Sequence, residues 1–485
     1  MEEWVIGLWV LICVGISTGW FWNKKEKNNI EKKKGVPRGN LGWPLIGETL
    51  DFIACGYSTR PVSFMDKRKS LYGTVFKTHI LGTPIIVSTD PNVNKVVLQN
   101  HGNVFIPAYP KSIRELLGKY SILRMNGNLQ KRVHALIGGF LRSPQLKARI
   151  TKDIENCVNL TLASWRDMHP IFVQQETKKI TFGILVKVLM SVGPGEELNF
   201  LKREFEEFIK ALICLPIKLP GTRLYRSLQA KEKLFKMVKN IVEERKRAME
   251  RSEDKSEVND AVDVLLRDIG ESNDQKQSPP LDFISCNIIE MMIPGEETVP
   301  MAMTIAVKFL SDCPGALEKL KEENVDLKRK KADLDDDYCW TDYMSLPFTQ
   351  NVISETLRMA NIINGVWRKA LTDVEIEGYL IPQGWCVLAS FISVHMDEEK
   401  FENPYVFDPW RWEKIGGAAF NNNFTPFGGG QRLCPGLELT RLEMSIFLHH
   451  LVTTYRWIAE KDDFVHFPTV RMKRNLPITV TPIST

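Results

Sequence analysis

The stretch FGGGQRLCPG, residues 427–436, constrains this chain more than any other segment. It sets one cysteine, Cys434, among four glycines and a proline, two residues after Arg432. Glycines this dense permit backbone angles closed to other residues, or let a bulky group come close. A turn alone needs fewer. A cysteine in such a loop can accept backbone N–H groups, which lower its basicity and suit it to ligate a metal. Arg432 adds a charge able to meet a carboxylate of a bound cofactor. The plain alternative is a tight turn around a buried free cysteine.

With 485 residues, 44% of them hydrophobic, the chain can bury one large core or two or three average ones. A net charge of +5 is small for this length and the basic residues are scattered, which gives no case for nucleic acid. Nine cysteines, without a CxxC pair or repeated spacing, argue for a reducing compartment. The eight histidines are dispersed and no HExxH occurs, so a metal held by histidines alone is not expected.

The segment WVIGLWVLICVGISTGWFW, residues 4–22, contains no charge. It approaches the roughly 20 residues that a helix needs to cross hydrocarbon, with tryptophans at both ends. Glu2 and Glu3 precede it, whereas Lys24, Lys25, Lys27 and Lys32 to Lys34 follow. This asymmetry predicts a retained single-pass anchor with the bulk of the chain in the cytosol, because a cleaved secretory signal has a basic start instead. The expected organisation is an anchor over 1–22, a basic linker over 23–36 and one folded domain over 37–485.

Residues 74–90 read as two short strands around a glycine–proline turn. From about residue 136 to 247, long mixed apolar and charged runs predict helices, broken by LPIKLPGTR at 215–223. The sequence LDFISCNIIE, MMIPGEETVP, MAMTIAVKFL predicts a helix disrupted at Pro294 and Pro300, each lacking an N–H. In ETLR, Glu355 and Arg358 stand three apart and face one another on a helix. The fold class is mainly α with small β-sheets.

These pieces together resemble the cytochrome P-450 superfamily. FGGGQRLCPG is similar to its haem-binding signature FxxGxRxCxG at every fixed position, and ETLR and FDPWRW (residues 407–412) follow the family order. The resemblance implies a haem-thiolate monooxygenase fold with an N-terminal transmembrane helix. By it, Cys434 is the axial ligand of haem b, Phe427 shields the ligand loop and Arg432 pairs with a haem propionate. Glu355, Arg358 and Arg411 become a buried structural network, costly to leave unpaired. Gly295, Glu297 and Thr298 fall in the oxygen-activation groove, where Glu297 and Thr298 would manage protons. The family's WxxxR aligns on Gln130 to His134, where both expected residue types are absent; Gln130, His134 and Arg368 are the remaining propionate candidates, and Arg132 reads equally well as a surface charge. Electrons would come from NADPH through a membrane NADPH-cytochrome P-450 reductase.

By the same resemblance the substrate pocket draws on Met291, Met292, Ile362 and Val366, which suit a large lipophile. PRGNLGWPLIGETLDF, PGEETVP and VRMKRNLPI resemble the plant brassinosteroid group, most closely the steroid C-23 hydroxylases. That implies a 22-hydroxylated campestanol or campesterol-type substrate and an endoplasmic-reticulum location. C-22 hydroxylation, oxidation of abscisic acid or a diterpenoid, and a non-catalytic haem sensor are the alternatives.

Overall fold

The computed structural model describes residues 34–483, apart from 44–45, 101–102, 166–168, 252–257, 272–279, 416–421 and 468. The expected anchor over residues 4–22 lies outside the described residues; among those described, no helix is long and apolar enough to cross a membrane.

The two strands expected near the amino end form a hairpin, β1 (Val75–Ile80) with β2 (Thr83–Ser88), paired antiparallel. Its turn is Leu81–Gly82, both in the left-handed region with φ 51° and 75°. Two such residues match the right-handed twist of the flanking strands, so Pro84 sits inside β2 rather than in the turn. This hairpin is one edge of a five-stranded sheet ordered β1, β2, β8 (Cys386–Ser390), β5 (Gly365–Ala370) and β3 (Phe105–Pro107). Only the β2–β8 pair is parallel. Smaller sheets join β4 (Ile171–Phe172), β12 (Pro477–Pro482) and β9 (Tyr455–Ala459), then β6 (Val374–Ile376) with β7 (Tyr379–Ile381), and β10 (Phe464–Val465) with β11 (Arg471–Met472).

The helical body contains α1 (Asn128–Arg142), α2 (Val173–Met190), α3 (Glu196–Ile209), α4 (Arg223–Arg251), α5 (Leu281–Met291), α6 (Ile293–Glu297), α7 (Val299–Asp312), α8 (Pro347–Ala360) and α9 (Leu437–Thr454). Residues 299–307 of α7 are buried without a break, the mark of a helix enclosed on all sides. It runs through the centre of the molecule and packs on α2, α8 and α9.

The disruption expected at the two prolines is real: α5, α6 and α7 are successive pieces of one helical path. The hydroxyls of α2 close the gap. Thr181 Oγ1 donates to the Gly295 carbonyl at 2.6 Å and Thr177 Oγ1 to the Pro300 carbonyl at 3.1 Å. A Cβ on Gly295 would lie 2.9 Å from Leu185 Cδ2 and 3.2 Å from the Thr181 carbonyl oxygen. Glycine at this position therefore sets how closely α2 approaches the break.

Glu355, Arg358 and Arg411 form the expected buried network. Arg358 donates to both Glu355 oxygens, Nη2 to Oε1 at 2.8 Å and Nε to Oε2 at 3.0 Å, while Arg411 Nε donates to Oε1 at 2.9 Å. Trp412 Nε1 adds a bond to Oε2 at 3.1 Å. The remaining guanidinium donors reach backbone carbonyls, Arg358 those of His395 and Pro404 and Arg411 that of Glu402. A buried charge held this way has its partners and its hydrogen bonds satisfied together. The network continues to the cysteine loop: His395 bonds Asn361 through Nδ1 at 2.8 Å and accepts the Thr425 N–H at Nε2 at 3.0 Å.

Candidate active site

The glycines of the cysteine loop serve two different needs. Gly430, with φ 62°, opens the one-turn 3-10 segment Gly430–Arg432, and a Cβ there would stand 2.2 Å from the Leu98 carbonyl oxygen. Gly428 has φ 73° with open space where a Cβ would go. The Cys434 N–H donates to the Phe427 carbonyl at 3.1 Å and the Leu433 N–H to that of Gly430, also at 3.1 Å. The loop thus folds back on itself and holds Cys434 at the start of α9.

Cys434 opens into an apolar cavity of about 310 Å³ between α1, α2, the α5–α7 path and α9. Phe427, Arg432, Arg368, Thr298, Met291, Ile362 and Val366 line it. Burial pushes the Cys434 thiol up, opposed by a hydrogen bond from the Gly436 backbone. The loop amide by itself does not make the sulfur acidic, because desolvation of a thiolate outweighs one N–H group.

Arg432 and Arg368 both line this cavity, near enough for their charges to interact. Burial and then the neighbouring Arg368 charge lower the Arg432 guanidinium to about 10, and burial also lowers Arg368. Arg432 donates to the carbonyls of Ile122 at 3.3 Å, Leu123 at 3.5 Å and Met125, and Arg368 to that of Trp367 at 3.0 Å. Neither has a carboxylate within ion-pair distance among the described residues. A buried thiol, an apolar cavity and two neighbouring unneutralised guanidiniums in its wall fit a haem, whose iron takes a thiolate and whose propionates take arginines.

The structure places four of the candidate residues away from this cavity. Gln130 and His134 do not line the cavity: Gln130 is buried elsewhere on α1, and His134 Nε2 bonds the Leu433 carbonyl at 2.8 Å, so it supports the ligand loop from outside. Met292 is fully buried in the core and lines no part of the cavity. Consecutive helical residues diverge by roughly 100°, and here Met291 borders the cavity while Met292 turns into the core. Glu297 and Thr298, adjacent where α6 ends, also border different spaces. Thr298 borders the Cys434 cavity, whereas Glu297 lines a neighbouring cavity of about 970 Å³ with Lys178, Thr469 and Arg471. Burial raises the Glu297 carboxyl above its ordinary value, against Lys178, a hydrogen bond from Thr469 and Arg471.

The sequence alone also did not mark Leu98, Ile137, Leu141, Leu185 or Leu189 as cavity wall. Their positions carry only helical periodicity. The pair Thr177 and Thr181, four apart on an otherwise apolar face, was the available hint that α2 meets a helix with carbonyls to satisfy.

The family model for cytochrome P-450 matches residues 37–480. The chain belongs to the cytochrome P-450 family. It is 68% identical over its whole length, and 94% of the relative's, to the 3-epi-6-deoxocathasterone 23-monooxygenase CYP90C1 of Arabidopsis thaliana. The 3-epi-6-deoxocathasterone 23-monooxygenase CYP90D1 of the same plant is 52% identical over 92% of this chain and 90% of its own. Among solved structures, retinoic acid-bound cyanobacterial CYP120A1 superposes with a TM-score of 0.80 at 25% identity, covering 93% of this chain and 100% of its own.

Proposed function

We propose that this chain is a plant steroid monooxygenase that hydroxylates C-23 of the side chain of 22-hydroxylated, campestanol-type brassinosteroid precursors. The observation that carries this reading is the 68% identity, over the whole chain, to a protein named as a 23-monooxygenase of such a steroid. The apolar wall of the Cys434 cavity, with Met291, Ile362 and Val366 among its residues, suits a steroid side chain.

Cys434 would ligate the iron, and Arg432 and Arg368 would hold the propionates. Bound haem supplies oxygen activation and accepts electrons originating from NADPH through a partner reductase. The protein holds the protons. Thr298 donates through Oγ1 to the Pro294 carbonyl at 3.2 Å on the wall of the cysteine cavity. One residue earlier, Glu297 holds a carboxyl of raised proton affinity on the other side of the same helical break. The two therefore stand on opposite faces of a single thin partition, an acid toward the polar chamber and a hydroxyl toward the reacting side. The apolar wall excludes water from the carbon to be oxidised.

The uncharged run at residues 4–22 and the lysines after it support single-pass anchoring in the endoplasmic-reticulum membrane with the domain in the cytosol, where a membrane reductase would meet it. Expression without residues 1–22, followed by flotation on lipid, tests this: the shortened protein should stay with the soluble fraction, and undiminished lipid binding would reject the anchor.

The activity is tested by incubating the haem-loaded enzyme with NADPH, reductase and a 22-hydroxylated campestanol-type steroid, then locating the new hydroxyl by mass spectrometry and NMR. A single oxygen at C-23 is the expected product. Oxygen at another carbon, or no turnover of this steroid beside turnover of another plant lipid, overturns the assignment.

A further inference from the structure

Glu443 lies on α9, nine residues beyond Cys434, on the helix face that Leu439 and Thr440 also present to the cysteine cavity. Its residue is 3% exposed, and its Oε2 atom is buried without a hydrogen-bond partner. Among the titratable side chains that line this cavity, Arg432 and Arg368 are cationic and Cys434 is the ligand; Glu443 is the acid. The mechanism above gives it no work, yet an unpaired carboxyl in an apolar wall costs free energy that a leucine would not.

The charges around it are engaged elsewhere. On its own helix, Arg441 donates to Gln350 Oε1 and Ser354 Oγ of α8, each at 3.1 Å, and Glu438 pairs with Lys147. On α8, Glu355 and Arg358 satisfy one another. On the helix Pro144–Ala163, Cys157 feels the Glu443 charge, and Asp153 pairs with Lys187. Lys328, on the helix Pro314–Leu334, acts on His449 and His450. On α1, His134 bonds the ligand loop. Among the described residues no cation neutralises Glu443, and burial alone raises its carboxyl to about 8.

We propose that Glu443 is a redox-linked proton site: a positioning residue whose carboxyl stays neutral beside the haem and binds a proton more tightly once an electron has reached the site. This rests on the haem-thiolate reading of the cavity. In balanced form, the flavoprotein reductase delivers one electron to the iron, and where Glu443 is ionised it takes one proton from solvent, so the buried site gains no net charge. Extra negative charge raises the proton affinity of a nearby carboxyl. Below about pH 8 the acid is neutral in both oxidation states and the midpoint potential does not depend on it. Above that value the potential falls with rising pH, because reduction then requires proton uptake.

Spectroelectrochemical titration of the haem-loaded full chain, repeated from neutral to alkaline pH, tests this against Glu443→Gln. The wild type should show a potential level near neutrality and falling above about pH 8; the variant should stay level over that range with an unchanged thiolate-type carbon-monoxide spectrum. Equal slopes in the two proteins overturn the proposal. If Glu443→Gln does not load haem, proton uptake on reduction of the wild type at alkaline pH is measured with an indicator dye, and Glu443→Asp should retain it. Absence of uptake overturns the proposal. A wild type lacking the thiolate-type spectrum altogether indicts the haem-thiolate reading instead.

Discussion

His134 Nε2 donates to the carbonyl oxygen of Leu433, the residue before Cys434, across 2.8 Å. A carbonyl only accepts, so this ring nitrogen carries the hydrogen. Burial lowers the His134 pKa, against the hydrogen bond to Leu433, and so favours the neutral ring. His134 thus fastens the ligand loop. Replacing it, as His134→Ala, should weaken that loop by about 1–3 kcal/mol, read as faster transfer of haem to an apoprotein acceptor. A transfer rate equal to the wild type would reject this role.

Gly430 and Gly428 make a paired prediction. Both need positive φ, but only Gly430 has backbone in the way, 2.2 Å from where its Cβ would be. Gly428→Ala should cost about 1–2 kcal/mol of backbone strain and keep the thiolate-type spectrum. Gly430→Ala should displace the loop and lose most of that spectrum. Equal behaviour of the two variants would show that the contact with Leu98 does not matter.

Thr298 borders the cysteine cavity and Glu297 the polar chamber behind it. Thr298→Ala should leave haem binding intact while product formed per NADPH falls by about 10-fold or more. Glu297→Gln should slow turnover without changing steroid binding, because its carboxyl does not line the steroid's space. A large loss of steroid affinity in Glu297→Gln contradicts the partition.

Glu355→Leu strands two buried guanidiniums, Arg358 and Arg411, that now share one carboxylate. The cost should be about 3–5 kcal/mol, a large part of the roughly 5–15 kcal/mol that keeps a domain folded. Urea unfolding reads it directly. A midpoint close to the wild type would mean that the network is dispensable.

His395 is buried, and burial followed by the Arg358 charge lowers its pKa to about 3. Its Nε2 accepts the Thr425 N–H, so protonation there sets two hydrogens against each other. The ordinary value for the unfolded chain is about 6.5. The folded value is the lower one, so this contribution is complete above about pH 6.5 and is lost as pH falls toward 3. Acid unfolding should therefore take up about one proton fewer in His395→Gln than in the wild type; identical uptake refutes it.

Much of the site was legible because its chemistry is local. Cys434, Arg432 and Phe427 lie within one ten-residue loop, Glu355 and Arg358 within one helical turn, and the prolines beside Thr298 announce a break by lacking an N–H. Arg368 also lines the cavity, since a strand next to the α8 helix delivers it. What the sequence left open is direction along a helix. Met292, Glu297, Gln130 and His134 were placed on the right elements, yet each turns away from the cysteine cavity. A helix turns successive side chains by a fixed angle, but which of its faces meets a given space depends on what packs around it.

The sequence by itself determined the ligand loop, the broken central helix, the charged network and hence the family, because each needs residue types that few other arrangements tolerate. Only the tertiary structure decided that Thr298 and Glu297 serve two separate cavities, that His134 holds the loop from outside, and that Glu443 faces the cofactor slot without a partner. Those outcomes depend on contacts between segments as far apart as His134 and Leu433, whose meeting is fixed by packing rather than by any local preference of the chain.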